Sequence, residues 1–296
     1  MSAPTLTLAD PAQAAARQQS AAPLLASLST LAAAATPLPR PVIEAALKVL
    51  ATRIDLNQAP PTPAALREAV LGAGVLAQPA AVPTDSKLAL VQLRSALVAF
   101  LGSAAIPAPP TGRRPPPPLR GEDPRAPSPE SPPPDDGTPH DAARTLLSHT
   151  DGALSRLKLL QLASQPADAR PNPAAPAEYR VEIPMMLGTE TGIMQLQIQR
   201  DAHNKSQPKA RGWRMRFALS FSATGEVGAE VALLGQSASV ALWAADPDTA
   251  DALEAMLPEL APALAARGLD VTGVRLRRGA PQKPARAPGQ LLDSAT

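Results

Sequence analysis

The chain's three histidines, His140, His149 and His203, are its only imidazoles, and it contains no cysteine. Metal ligation or acid–base work needs a carboxylate or a second histidine at ligand spacing, and none of the three has one. Gly235-Gln236-Ser237-Ala238-Ser239 resembles a nucleophile elbow only superficially. The second glycine is missing, and a hairpin turn accounts for the stretch. Gly188 and Gly192 bracket a short Thr-Glu-Thr run without the Lys-Ser/Thr of a phosphate loop, so this too reads as a turn between strands. Asp246, Asp248 and Asp251 gather at the start of a helical pattern, where the helix dipole favours negative charge and capping explains them without a metal. No cofactor, no metal and no catalytic set is expected, and the chain reads as non-enzymatic.

The elements around these residues belong to a sheet. Tyr179, Val181 and Ile183 alternate with Arg180 and Glu182, and Met194, Leu196 and Ile198 alternate with glutamines. A longer run puts Trp213, Met215, Phe217, Leu219 and Phe221 on one face, with Arg214, Arg216, Ala218 and Ser220 on the other. Trp213 is expected in the core with its stripe. Residues 225–244 supply two further strands, with Val227, Ala229, Val231 and Leu233 inward, then Ala238, Val240 and Leu242 inward. Trp243 has the opposite parity and points away from that core. Asp246 and Pro247 open a helix whose stripe is Leu253, Met256, Leu257, Leu260 and Leu264. Pro258 is expected to kink or split it, and Gly268 to end it. A last strand runs through Val271, Val274 and Leu276. Residues 178–280 therefore predict an α+β domain: about five strands in an antiparallel sheet, one covering helix, and solvent on the polar face.

The front is poorer in large side chains. The chain has 37 prolines and six aromatic residues (Trp 2, Tyr 1, Phe 3) among 296. Residues 1–40 read as disordered, with room for an export signal. Residues 41–102 form short amphipathic helices, the first with Val42, Ile43, Ala46, Leu47 and Leu50 on one face. Residues 103–140 read as a proline-rich linker spanning on the order of 100 Å in polyproline II form. Residues 141–165 are helical with Leu146, Leu147, Leu154, Leu157 and Leu160 apolar, 166–177 are a second linker, and 281–296 are a disordered basic tail. The N-terminal region is thus largely disordered, Pro/Ala-rich and partly helical.

Net charge is +2, and the basic residues are dispersed apart from Arg275, Arg277, Arg278, Lys283 and Arg286 near the end. Nucleic-acid binders concentrate such charge with interleaved aromatics, so no nucleic acid is expected. The first residues lack the basic and apolar regions of a secretory signal, and no apolar run is long enough to span a bilayer. The expected location is the cytoplasm, with no membrane insertion.

The order of these features resembles the C-terminal domain of flagellar hook-length control proteins. That domain opens with a Leu-x-Pro-x-x-Leu-Gly-x-Val strand, and here Leu219, Gly225 and Val227 match, with Phe221 and Thr224 departing. Val240 and Leu242 match the hairpin's second strand. Pro247, Leu253, Leu257, Leu260 and Leu264 match the helix, and Gly268, Leu269 and Val271 its exit. The resemblance implies a monomeric molecular ruler exported through the flagellar type III apparatus. Its front would engage hook subunits and the hook cap. Its C-terminal domain would meet the cytoplasmic domain of the export-gate switch protein and change export from hook-type to filament-type substrates. The contact residues expected are the edge at Gly225, Val227 and Ala229, then Trp243, then Arg275 and Arg277. An injectisome needle-length regulator and a basic-tailed nucleic-acid or envelope scaffold are the alternatives.

Overall fold

Alternating apolar and polar side chains from Ala177 onward build a sheet that a strand near the front of the chain completes. The computed structural model describes residues 11–33, 38–76, 85–105, 114–127, 138–165, 176–201 and 212–279. His203, Lys283, Arg286 and the tail 281–296 lie outside them, as do residues 1–10, 106–113 and 128–137 of the first linker and 166–175 of the second.

Strands β2 (Ala177–Leu187), β3 (Glu190–Arg200), β4 (Gly212–Phe221), β5 (Gly225–Leu234) and β6 (Ser237–Ala244) form an antiparallel meander. The short β1 (Ile54–Asp55) joins β2 in parallel, and β7 (Asp270–Arg278) joins β6 in parallel. The result is a mixed sheet of seven strands in sequential order, which corrects the expectation of an all-antiparallel one. The cause is the helix between β6 and β7: a helical crossover returns the chain in the direction it left.

That helix, α7 (Pro247–Ala265), starts where expected, with the Thr249 N–H donating to the Asp246 carboxylate at 2.9 Å. It runs unsplit through Pro258 and Pro262. Both prolines are exposed, so water reaches the carbonyls that lose a donor. Leu253, Leu257, Leu260 and Leu264 are half-buried, whereas Met256 is 61% exposed and leaves the expected stripe.

The front folds more than its composition promises. Helices α1 (Pro11–Arg17), α2 (Ala22–Ala33), α3 (Arg40–Leu50), α4 (Pro63–Gly72), α5 (Ser86–Leu101) and α6 (Pro139–Ala163) precede β2. Leu24, Leu25 and Leu28 of α2 close on Leu93 and Leu97 of α5, Leu146 and Leu147 of α6, and Ile193 of β3. The expectation of disorder over residues 1–40 is therefore corrected for 11–33. Alanine carries the highest helix propensity, and three leucines on one stripe are enough apolar area once a facing leucine surface exists. Within α3 the buried face is Val42, Ala45 and Val49, while Ile43 and Leu47 are 41% and 52% exposed. At Gly152 in α6, an added Cβ would lie 2.8 Å from the Gln19 Cβ, and the Gln19 N–H donates to the Gly152 carbonyl at 3.1 Å. Glycine there lets the chain at residue 19 lie directly on the helix.

A second core lies on the sheet's apolar face. Val181, Ile183, Met185, Met194, Leu196 and Phe221 meet Ala73, Val75, Leu157 and Leu160, with Leu66 and Val70 of α4 alongside. The sheet is thus covered by several helices, not one. Trp213, at the far end of β4, is 42% exposed, with the Arg200 guanidinium 5.9 Å from its ring centre. It is not a core residue, because these helices pack on the two flanks of the sheet.

Candidate functional site

The sheet's polar face carries the site. Register places Glu178, Arg180 and Glu182 of β2 beside Gln199, Gln197 and Gln195 of β3, and Gln197 beside Arg216 of β4. Arg216 pairs across to Glu230 of β5, Glu230 to Ala241 of β6, and Ala241 to Arg275 of β7. One row nearer the β4–β5 turn, Ala218, Gly228, Trp243 and Arg277 line up the same way.

Residues 114–127, expected as part of a spacer, lie across this face as a strap. The Gly121 N–H donates to the Glu178 carboxylate, the Arg125 N–H to Gln195 Oε1 at 3.1 Å, and the Ala126 N–H to Glu226 Oε1 at 3.0 Å. Arg156 of α6 donates to the Pro116 carbonyl at 2.6 Å and to Gln18 Oε1 at 2.8 Å, while pairing with Glu182 at 2.8 Å. Arg180 donates to the Glu122 carbonyl and pairs with Glu178 at 2.8 Å. The expectation of solvent on this face is corrected: Gln197 is 1% and Arg180 7% exposed. A proline-rich chain has few N–H groups of its own, and here those of Gly121, Arg125 and Ala126 find side-chain acceptors instead of a strand. Burial pushes the Glu178 carboxyl up, but hydrogen bonds from Gln197, the Gly121 backbone and Arg180 outweigh it and hold it below the ordinary glutamate range.

Over β6 and β7 the described residues line a groove of roughly 810 Å³. Asp123, Pro124 and Arg125 form one wall, and Arg216, Glu230, Ala241, Trp243, Arg275 and Arg277 line the rest of it, with Glu226 at the strap end. Arg216 is held between Glu230 at 2.6 Å and Asp123 at 3.0 Å. Trp243 lies over Gly228: a Cβ on that glycine would come within 2.4 Å of the indole. Only glycine on β5 lets the ring lie flat on the sheet.

The expected contact residues divide. Trp243, Arg275 and Arg277 come together in this groove, and Ala229 is also in its lining. Gly225, Val227 and Ala229 do not form an edge, because β5 pairs with β4 on one side and β6 on the other. Gly225 opens the strand at φ +63°, and Ala229 is buried at 4% exposure. Alternation reports which face a side chain takes but not whether its strand is central. Arg216 and Asp123 were missed as contributors. The cross-strand match of Arg214 and Arg216 with Glu230 was one signal for Arg216, whereas Asp123 sits in a segment with no periodicity at all.

His149 is buried in α6 and His140 lies against Phe100, their ring centroids 4.8 Å apart, so neither joins the groove. Among the described residues no cluster of His, Asp and Glu fit to hold a metal ion is present. No helix among them is long and apolar enough to cross a membrane. Residues 202–285, the C-terminal region, match the family described as flagellar hook-length control protein FliK. The match takes in β4 to β7 and so the whole sheet floor of the groove. No curated protein matches the chain, and no solved structure does.

Proposed function

We propose that the chain sets flagellar hook length as an exported molecular ruler, and that its C-terminal domain switches the type III export gate from hook-type to filament-type substrates. The observation that carries this is the coincidence of the family match with the groove: the strands that place Trp243, Arg275 and Arg277 together are those matched. The partners are then the cytoplasmic domain of the gate's switch protein for the groove, and hook subunits and hook cap for the front. Export through a channel takes an unfolded chain, and with no cysteine there is no disulfide to hold the front closed. Fully extended, about 170 residues reach on the order of 500–600 Å, a length suited to a ruler.

The test is deletion of residues 178–280 in the source organism, with hook lengths measured by electron microscopy. Overlong hooks without filaments are expected. Hooks of normal length carrying filaments would sink the proposal.

A further inference from the structure

The groove's free charge is positive although its lining is mixed. Each acid in it is already engaged: Glu226 accepts from the Ala126 N–H, and Glu230 and Asp123 both hold Arg216. Arg275 and Arg277 are exposed and enter no ion pair or hydrogen bond among the described residues. They stand on the row positions next to Ala241 and Trp243, so two unpaired guanidinium groups flank a small floor residue and an indole.

The same face already holds a ligand in cis. Past a turn at Arg120 and Gly121 the strap brings Asp123 and Pro124 to the groove's wall outside any helix or strand, with the Asp123 carboxylate on Arg216. Extended proline-containing chains dock on aromatic rings because the ring is rigid and the chain gives up little entropy on binding. We propose that the open groove binds an extended, acidic, proline-containing peptide of the partner, with its carboxylates on Arg275 and Arg277 and a proline on Trp243. This rests on the groove being the domain's partner surface, and it names what that surface reads. A polyphosphate backbone would meet the same two guanidinium groups, and the titration separates it from an acidic peptide.

The test is a fluorescence titration of the full chain carrying Trp213→Phe, which leaves Trp243 as the single tryptophan. The probe is a synthetic peptide of Glu-Asp-Pro repeats. Saturable binding is expected, weakened about tenfold by Arg275→Ala with Arg277→Ala and lost with Lys-Lys-Pro repeats. Three results would overturn the proposal: no saturable signal, equal affinity for the double variant, or equal affinity for Glu-Asp-Gly repeats. Competition by a single-stranded oligonucleotide at equal affinity would also overturn it, in favour of nucleic acid. The hook-length assay fails independently. Normal hooks in the deletion strain leave peptide binding intact, while overlong hooks with no peptide binding reject only the peptide chemistry.

Discussion

The backbone N–H of Gly121 donates to both oxygens of the Glu178 carboxylate, at 3.2 and 3.1 Å, across 57 residues of sequence. That contact ties the strap to the outer part of the sheet. Glu178→Ala removes the acceptor and leaves Arg180 and the Gly121 N–H to find water. The expected loss is about 1.5–3 kcal/mol from the strap's attachment. Hydrogen exchange at Gly121 should speed up accordingly, while amides in β5 and β6 stay protected. Because Glu178 titrates below its ordinary range when folded, its contribution is complete above the unfolded value of about 4.3. It is lost as pH falls through the folded value. Unchanged exchange at Gly121 in the variant would show that the strap is held by other contacts.

A second pH effect has a different window. His149 is 2% exposed, and its Nδ1 has no hydrogen-bond partner among the described residues. Burial holds its imidazole below the ordinary value. The folded chain therefore refuses a proton that the unfolded chain takes up below about pH 6.5. Stability should fall as pH drops from about 7 through 6.5, until folded His149 itself titrates. His149→Leu removes the titrating group, and denaturation midpoints followed by circular dichroism should then be flatter across that range. A variant as pH-sensitive as the parent would locate the effect elsewhere.

Local features were readable in the sequence and long-range ones were not. Asp246 caps α7 ahead of Pro247 as expected, because a cap involves residues three apart. The parity of Trp243 against Val240 also held, since a strand's faces alternate whatever its neighbours. Strand order is a tertiary property, so Val227 and Ala229 were placed at an edge when they sit in the middle. Arg125 and Gln195 meet across 70 residues, and polyproline segments carry no facing signal. The helices at 11–17 and 22–33 escaped for another reason: Leu24, Leu25 and Leu28 of the second bury against Leu93, Leu97, Leu146 and Leu147, which are far away in sequence, and the first lies against α6.

That front layer gives a direct measure of how firmly the first helices are held. Leu28 is 1% exposed and belongs to the core with Leu93, Leu97 and Leu146. Leu28→Ala should cost about 2–5 kcal/mol in chemical denaturation of the full chain, as buried leucine truncations do. If residues 22–33 were detached in solution, the same change would leave the midpoint where it was. The contrast is with Leu47, which is 52% exposed on α3 and whose truncation should shift stability by no more than about 0.5 kcal/mol.

The groove itself depends on one missing side chain. Gly228 sits on β5 beneath Trp243 on β6, and a Cβ there would lie 2.4 Å from ring carbons of the indole. Strand backbone cannot move that far without breaking the β4–β5–β6 pairing, so Gly228→Ala must swing the ring outward. The indole is the far end of a side chain with two soft torsions, and overpacking of this kind costs about 1–3 kcal/mol rather than the fold. With Trp213→Phe in the background, the emission of Trp243 should shift to the red as the ring moves into water. Binding of an extended peptide should weaken in the same variant, because the ring no longer lines the groove beside Arg277. An unshifted emission would mean that Trp243 does not rest on Gly228, and the groove's aromatic wall would have to be assigned elsewhere.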